Sequence, residues 1–166
     1  MTRKVYIPGP SVFHLRSKDI FAGYARICFQ LKLELLTPST DQTSSSTAIF
    51  YGNVELIDKA DGVVADISPF RGPHCDVGTA WEIAYSFARR KPVFAFSNDT
   101  RPLSERIASR TSGFDCNGNA IENFGLAENL MIAESLFRRT VFCDFEAAAS
   151  AATEYFQRSS RYARGS

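Results

Sequence analysis

The chain has 166 residues, 45% hydrophobic and 22% charged, a size and composition that predict one globular α/β domain over residues 1–166 with a sizeable core. Its 19 Lys and Arg against 18 Asp and Glu leave a formal net charge of +1, and no basic run exceeds Arg89-Arg90-Lys91, which excludes a nucleic-acid partner that depends on phosphate contacts. The first apolar run is stopped by Pro8, too early for a signal-peptide core, and no later run reaches membrane-spanning length, so a soluble, cytoplasmic protein with no membrane partner is expected.

In chain order, residues 5–7 predict a first short strand, stopped by Pro8-Gly9-Pro10. Residues 19–32 carry Ile20, Tyr24, Ile27, Phe29 and Leu31 at spacings close to a helical period. Residues 33–37 form a second strand ended by Pro38. The Ser/Thr-rich turn at 39–47 suits the opening of a helix whose Ile49, Leu56, Ile57 and Ala60 face inward. A third strand covers 62–67. The next helix, 75–90, is expected to pack the stripe Val77, Ala80, Trp81, Ala84 and Ala88, and a fourth strand covers 92–96. Residues 99–123 read as polar and irregular, 128–137 as a short helix, 140–143 as a fifth strand and 146–158 as a closing Ala-rich helix. Cys28, Cys75, Cys116 and Cys143 are widely spaced and His14 and His74 are the only histidines, which predicts free thiols and no metal site.

Strands alternating with helices predict a flavodoxin-like, doubly wound parallel sheet in the order 2-1-3-4-5. Ligands bind such sheets where the strand order reverses, outside the carboxyl ends of strands one and three. Those ends are residues 6–10 and 66–72, the most Pro/Gly-punctuated turns of the chain. Around the second of them the chain crowds Asp66, Asp76 and Glu82. Carboxylates gathered there are costly to desolvate, so a ligand or a chemical step explains them better than packing does. Glu82 follows Gly78 and Thr79 by four and three residues, which clears space over its carboxylate. Asp76, in the first helical turn, is favoured as an anion by the free N–H groups and the helix dipole and suits hydroxyl recognition. Asp66 suits the orientation of a neighbour or a ligand contact. Each has a plainer reading as well: a solvated helix acid, a helix cap and a turn former.

Several stretches together resemble the nucleoside 2-deoxyribosyltransferase family, in order from Lys4 to about Phe145, and look most like its trypanosomatid members. They are Tyr6-Ile7-Pro8-Gly9-Pro10, Ala60-Asp61-Gly62-Val63-Val64-Ala65-Asp66, Ser68-Pro69-Phe70-Arg71-Gly72, Asp76-Val77-Gly78-Thr79-Ala80-Trp81-Glu82, and Phe124-Gly125-Leu126 with Asn129-Leu130-Met131. The resemblance implies retaining transfer of 2-deoxyribose between bases in nucleoside salvage. It makes Glu82 the nucleophile, Asp76 the binder of sugar hydroxyls, and Tyr6 the residue that orients the nucleophile. It makes Asn129 a residue donated from a neighbouring subunit to the 5′-hydroxyl end, hence a homodimer or larger oligomer with shared sites. Further substrate contacts are expected from Gly9, Asn53, Asp66, Arg71, Gly72 and Gly78. The partners implied are 2′-deoxyribonucleosides and free purine or pyrimidine bases; no cofactor is implied.

Asn53 stands where several bacterial members carry an aspartate that helps protonate the departing base, and an amide donates a hydrogen bond but no proton at neutral pH. Asp41 and Gln42 fall in the family's base-contacting loop, where a solvated turn explains them equally well. Asp115-Cys116-Asn117-Gly118-Asn119 resembles the start of a calcium loop, but Ala120 and Leu126 occupy the positions that need glycine and glutamate, so a hairpin turn at Asn117-Gly118 is expected. His74 reads as a partly exposed residue at a helix start. Two other functions stay open: hydrolysis of (deoxy)nucleosides or deoxynucleoside 5′-monophosphates by the same carboxylate chemistry, and a nucleotide-binding module without turnover.

Overall fold

The computed structural model describes residues 2–39, 45–111 and 113–162; Asp41 and Gln42 lie outside them. The elements of its main sheet are β1 (Arg3–Tyr6), α1 (Ser17–Gln30), β2 (Leu33–Leu36), α2 (Ser46–Lys59), β3 (Gly62–Asp66), α3 (Val77–Ala88) and β4 (Val93–Phe96). The chain continues through α4 (Leu103–Arg106), the hairpin β5 (Ser109–Thr111) and β6 (Phe114–Asp115), α5 (Leu130–Ala133), β7 (Val141–Phe142) and α6 (Phe145–Tyr162). The parallel sheet has the order β2-β1-β3-β4-β7. This is the expected winding, except that the fifth sheet position is held by the seventh strand of the chain, because a two-stranded antiparallel hairpin intervenes.

Strand alternation divides the core into two layers and thereby places the site. Val5, Ile7, Val64, Phe94 and Phe96 turn toward α1 and α6, where Phe21, Cys28, Ala148, Ala149 and Ala152 meet them. Tyr6, Val63, Ala65, Val93 and Ala95 turn the other way, toward Ile57 of α2 and Ile83 of α3. β3 is buried along its whole length, as befits a central parallel strand covered on both faces. Each fully buried large apolar side chain in these layers contributes about 1.5–3 kcal/mol of transfer free energy.

Gly9 shows how closely the first turn approaches the third strand. Its φ is +157°, and a Cβ built on it would lie 2.6 Å from the Cβ of Asp66. Only glycine lets the backbone after β1 pass over the end of β3 at that distance.

Several expectations are corrected. The stripe Val77, Trp81, Ala84 and Ala88 is not the buried side of α3: Val77 is 84% and Trp81 43% exposed, while Thr79, Ile83 and Ser86 are buried. Trp81 instead stacks on Tyr85 and tilts against Phe50 of α2, with centroids 5.3 and 5.1 Å apart. The apolar stripe thus belongs to an outer aromatic wall. In the helix expected over 128–137 only Leu130–Ala133 is α-helical, because the chain turns extended at Leu136 and drops that side chain into the core. The stretch 99–123 holds α4 and the β5–β6 hairpin rather than being irregular throughout. In α1 the buried residues are Phe21 and Cys28, and Phe29 is exposed. In α2, Ile57 and Leu56 pack inward, Ala60 is buried just beyond the helix, and Ile49 faces a pocket.

The turn at Asn117-Gly118 forms as expected. Gly118 has φ +83°, and Asp115 Oδ1 accepts the backbone N–H groups of Asn117 and Asn119 at 2.9 and 2.8 Å. All four cysteines are free, Cys28 and Cys75 buried and Cys116 and Cys143 exposed. Among the described residues no helix is long and apolar enough to cross a membrane.

Candidate active site

At the carboxyl ends of β1 and β3, where the strand order reverses, the surface opens into a pocket of about 640 Å³, within the ordinary range for a small-molecule site. Phe13, Ile49, Phe50 and Trp81 supply apolar walls, and Asp76 and Glu82 supply negative charge. The end of β2 and helix α2 also contribute, through Pro38 and Asn53.

Glu82 sits in the second turn of α3 and meets two donors from different elements. The Tyr6 hydroxyl donates to its Oε1 at 2.6 Å, and the Asn53 amide donates to the same oxygen at 3.1 Å. Tyr6 is fully buried on the last residue of β1, so its hydroxyl requires a partner, and strand alternation aims it at α3. Burial first, and then the neighbouring Glu82, raise its phenol well above the usual range, so it stays protonated at neutral pH and donates to Glu82. Both donors occupy Oε1; the second carboxylate oxygen carries no hydrogen bond from these residues. Burial pushes the Glu82 carboxyl up to about 7, and the charge of Asp76 adds to the rise, while the hydrogen bonds from Tyr6 and Asn53 oppose it.

Asp76 caps α3. Its Oδ2 accepts the Thr79 N–H at 3.1 Å and the Thr79 hydroxyl at 3.4 Å, a local geometry that any N-cap aspartate adopts. Gly78 was expected to clear space over Glu82; the clearance falls at Asp76, where a Cβ on Gly78 would stand 3.0 Å from Oδ2. Arg71, another pocket residue, has φ +56° and lays its guanidinium on Phe70 and Phe13, 4.7 and 5.5 Å from their centroids. Those two rings are stacked 5.3 Å apart, and of them Phe13 lines the pocket.

The pocket therefore brings together Gly9, Asn53, Arg71, Asp76, Gly78 and Glu82, with Tyr6 buried behind Glu82 and bonded to it. Asp66 lies beneath Gly9, buried, with its Oδ1 accepting the Ser68 N–H at 3.0 Å; it does not line the cavity, and burial raises its carboxyl above the usual range. Gly72 is exposed beside Arg71 and does not line the cavity either. Asn129 is also outside it. Its Oδ1 caps α5 by accepting the Met131 N–H at 3.0 Å, and its amide donates to Glu122 at 2.6 Å.

Two features had no mark in the sequence. Phe50 drew no reading of its own and Trp81 read as a core position on a helical stripe, yet both form a pocket wall. Glu128, 1% exposed, holds His74 through Oε1 at 2.7 Å, so the half-exposed imidazole has a buried partner 54 residues away. Nothing in the neighbouring Ala127 and Asn129 signals that burial.

A family model described as nucleoside 2-deoxyribosyltransferase matches residues 5–131, which include every pocket residue. Among solved structures, a 2-desoxiribosyltransferase from Leishmania mexicana superposes with a TM-score of 0.81 at 33% identity, covering 92% of this chain and 97% of that one. A 2-deoxyribosyltransferase from Bacillus psychrosaccharolyticus shares the fold, with a TM-score of 0.56 at 23% identity over 88% of this chain and 90% of that one. An uncharacterized protein of Schizosaccharomyces pombe is 30% identical over 115 residues, 63% of this chain and 54% of the yeast protein. The match to that curated relative thus spans about half of its length.

The raised Glu82 carboxyl has a consequence for stability. A carboxyl raised in the folded state contributes stability that is fully present below its unfolded value and is lost as pH rises through its folded value. For Glu82 the window runs from the ordinary 4.5 to about 7, worth about 3 kcal/mol at full ionisation. Denaturant unfolding of the wild type and of Glu82→Gln at pH 5 and pH 8 checks this. The variant gains stability relative to the wild type by up to that amount on going to pH 8; an unchanged difference between the two pH values contradicts the assignment.

Proposed function

The chain belongs to the nucleoside 2-deoxyribosyltransferase family, and on that premise we propose that it exchanges the base of 2′-deoxyribonucleosides by double displacement through Glu82. The observation that carries the reading is the Glu82 carboxylate, facing the pocket with Tyr6 and Asn53 both bound to one of its two oxygens. That arrangement fixes the carboxylate plane and leaves the second oxygen to attack. In the first step this oxygen bonds to C1′ of the deoxyribose as the N-glycosidic bond breaks, and its electron pair leaves with the base. In the second, a ring nitrogen of the incoming base bonds to C1′ and displaces the carboxylate. Two inversions retain the configuration at C1′. The proton gained by the departing base equals the one given up by the incoming base, so the exchange is proton-neutral overall.

The supporting residues follow from the same geometry. Asp76, with one oxygen held by Thr79, offers the other to the sugar hydroxyls. The walls of Phe13, Phe50 and Trp81 give a base aromatic and apolar surface to lie against. Gly9, Arg71 and Gly78 line the space around the sugar and base. Asn53 supports the nucleophile itself, and Asp66 and Gly72 support the backbone of the β3 turn rather than touching substrate. An ester at C1′ meets whichever nucleophile is nearest; a base held in the apolar pocket outcompetes water by proximity, which favours transfer over hydrolysis. We place this chemistry in nucleoside salvage in the cytoplasm, a compartment that suits four free thiols.

Asn129 completes the proposal as a residue given to a neighbour's site. It lies outside its own pocket, beside Phe124 and Met131, which are 67% and 72% exposed and supply apolar surface for a subunit contact. The protein then works as a homodimer or larger assembly.

Incubation with deoxyinosine and adenine, followed by chromatography, tests the activity. Deoxyadenosine is the main product, and Glu82→Ala lowers its rate by about 10³-fold or more. Free deoxyribose unaffected by adenine, or exchange at near wild-type rate in the variant, overturns the reading.

Mixing two inactive variants tests the shared site. When Glu82→Ala and Asn129→Ala proteins exchange subunits, sites combining intact Glu82 from one chain with intact Asn129 from the other regain activity. Variants that exchange subunits without recovery place Asn129 in its own chain's machinery.

A further inference from the structure

The segment that leads from the pocket into α3 is tied to the one before α5 by a buried pair of opposite charges. One, residues 70–76, delivers Asp76 to the start of α3; the other, residues 126–129, leads into α5 and carries Asn129 at its cap. Glu128 lies between them. Its Oε1 accepts from His74 Nδ1 at 2.7 Å and from the Asn129 backbone N–H at 2.9 Å, and its Oε2 accepts the Cys75 backbone N–H at 2.8 Å. Arg106, with only 4% of its side chain exposed, places Nη2 3.9 Å from Glu128 Oε2. Its Nη1 donates to the Pro73 carbonyl at 2.8 Å and its Nη2 to the Ala127 carbonyl. The same two side chains thus grip both segments, one through N–H groups and the other through carbonyls.

A buried carboxylate is expensive, and for stability alone apolar packing serves as well or better. The pair here carries a further cost, since Arg106 Nε is buried and finds no acceptor among the described residues. What the charge provides that an apolar side chain does not is direction: it fixes the Cys75 and Asn129 N–H groups at defined points. Cys75 directly precedes Asp76, whose carboxylate is held from the other side by Thr79. The position of Asp76 is therefore set at both ends, by Glu128 before the helix and by Thr79 within it.

We propose that Glu128 is a positioning residue for sugar recognition: through Cys75 and His74 it sets the carboxylate of Asp76, and through the Asn129 N–H it holds the start of α5 in register with the pocket. The proposal rests on the base-exchange reading for the role of Asp76. Glu128 also links Asp76, which serves the chain's own site, to Asn129, which serves a neighbour's, so a shift at one is felt at the other.

Glu128→Gln tests it with little change of shape. Glutamine offers one acceptor oxygen to three N–H donors, so at least one of them faces an NH₂ group. In the full-length protein, kcat/KM with 2′-deoxyinosine falls about tenfold, mainly through KM, as a displaced binding group requires. With 2′,3′-dideoxyinosine, which has no 3′-hydroxyl for Asp76 to hold, the loss is less than about threefold. Equal losses on both substrates, or no loss on either, overturn the proposal. Amide hydrogen exchange gives a readout independent of turnover: Cys75 and Asn129 exchange faster in the variant while β3 does not, and unchanged exchange at both overturns the anchoring. Should Glu128→Gln fail to fold, Glu128→Asp, which keeps the charge but withdraws it by one methylene, supplies the same two comparisons. A wild type without base exchange overturns the reading on which the role of Asp76 rests, while the exchange data still judge the anchoring itself.

Discussion

The site depends on the 2.6 Å hydrogen bond from the Tyr6 hydroxyl to Glu82 Oε1. It joins the interior strand β1 to helix α3 across the crevice, and it ties a core residue to the carboxylate proposed to carry the chemistry. Tyr6 is fully buried, so breaking the bond leaves a hydroxyl without a partner in the core, at a cost of about 1–3 kcal/mol. The requirement is mutual: the phenol needs the carboxylate to be buried at all, and the carboxylate needs the phenol to hold its plane. Burial and the charge of Asp76 raise the Glu82 carboxyl toward 7 against the pull of its two donors. At pH 7 such a carboxyl is about half ionised and above it mostly so, and its ionised form is poorly solvated, which suits the proposed attack on carbon.

The rest of the architecture serves that contact. Strand alternation sends Tyr6 to the same side as α2 and α3, so Asn53 and Glu82 are delivered to it by elements that also close the core around Ile57 and Ile83. Gly9 brings the first turn down onto the end of β3, and Phe13 and Arg71 line the pocket on that side, backed by Phe70, which stacks on Phe13. After β3, Glu128 and Arg106 hold loop residues 73–75 in place.

Much of this was legible in the sequence because it is local. The apolar run of residues 62–65 marks a buried parallel strand, the Pro/Gly turns mark its neighbours' ends, and Asp76 with Gly78, Thr79 and Glu82 shows a capped helix bearing a carboxylate one turn on. Their convergence at the reversal of strand order follows from topology alone. The buried side of α3 was not legible, because periodicity reports that residues are apolar and not what they meet. Val77, Trp81 and Ala84 share a stripe, yet the helix buries Thr79 and Ser86 and lends its aromatic side to the pocket wall. Glu128 was hidden for a different reason: its partners are separated from it by up to 54 residues, and such a contact leaves no local pattern. Asp66 was legible as a residue at the right strand end but not as one covered by Gly9, since that depends on how closely two turns approach.

The central claim is that Glu82 bonds to the sugar, and trapping that bond addresses it most directly. Incubating the protein with a 2-fluoro-2-deoxy nucleoside, digesting it and weighing the peptides by mass spectrometry reads the result. The account predicts a mass increase of one fluorodeoxyribosyl group on the peptide containing Glu82, removed on addition of a free base. A protein that turns over deoxyinosine but carries the group elsewhere, or never carries it, contradicts the account.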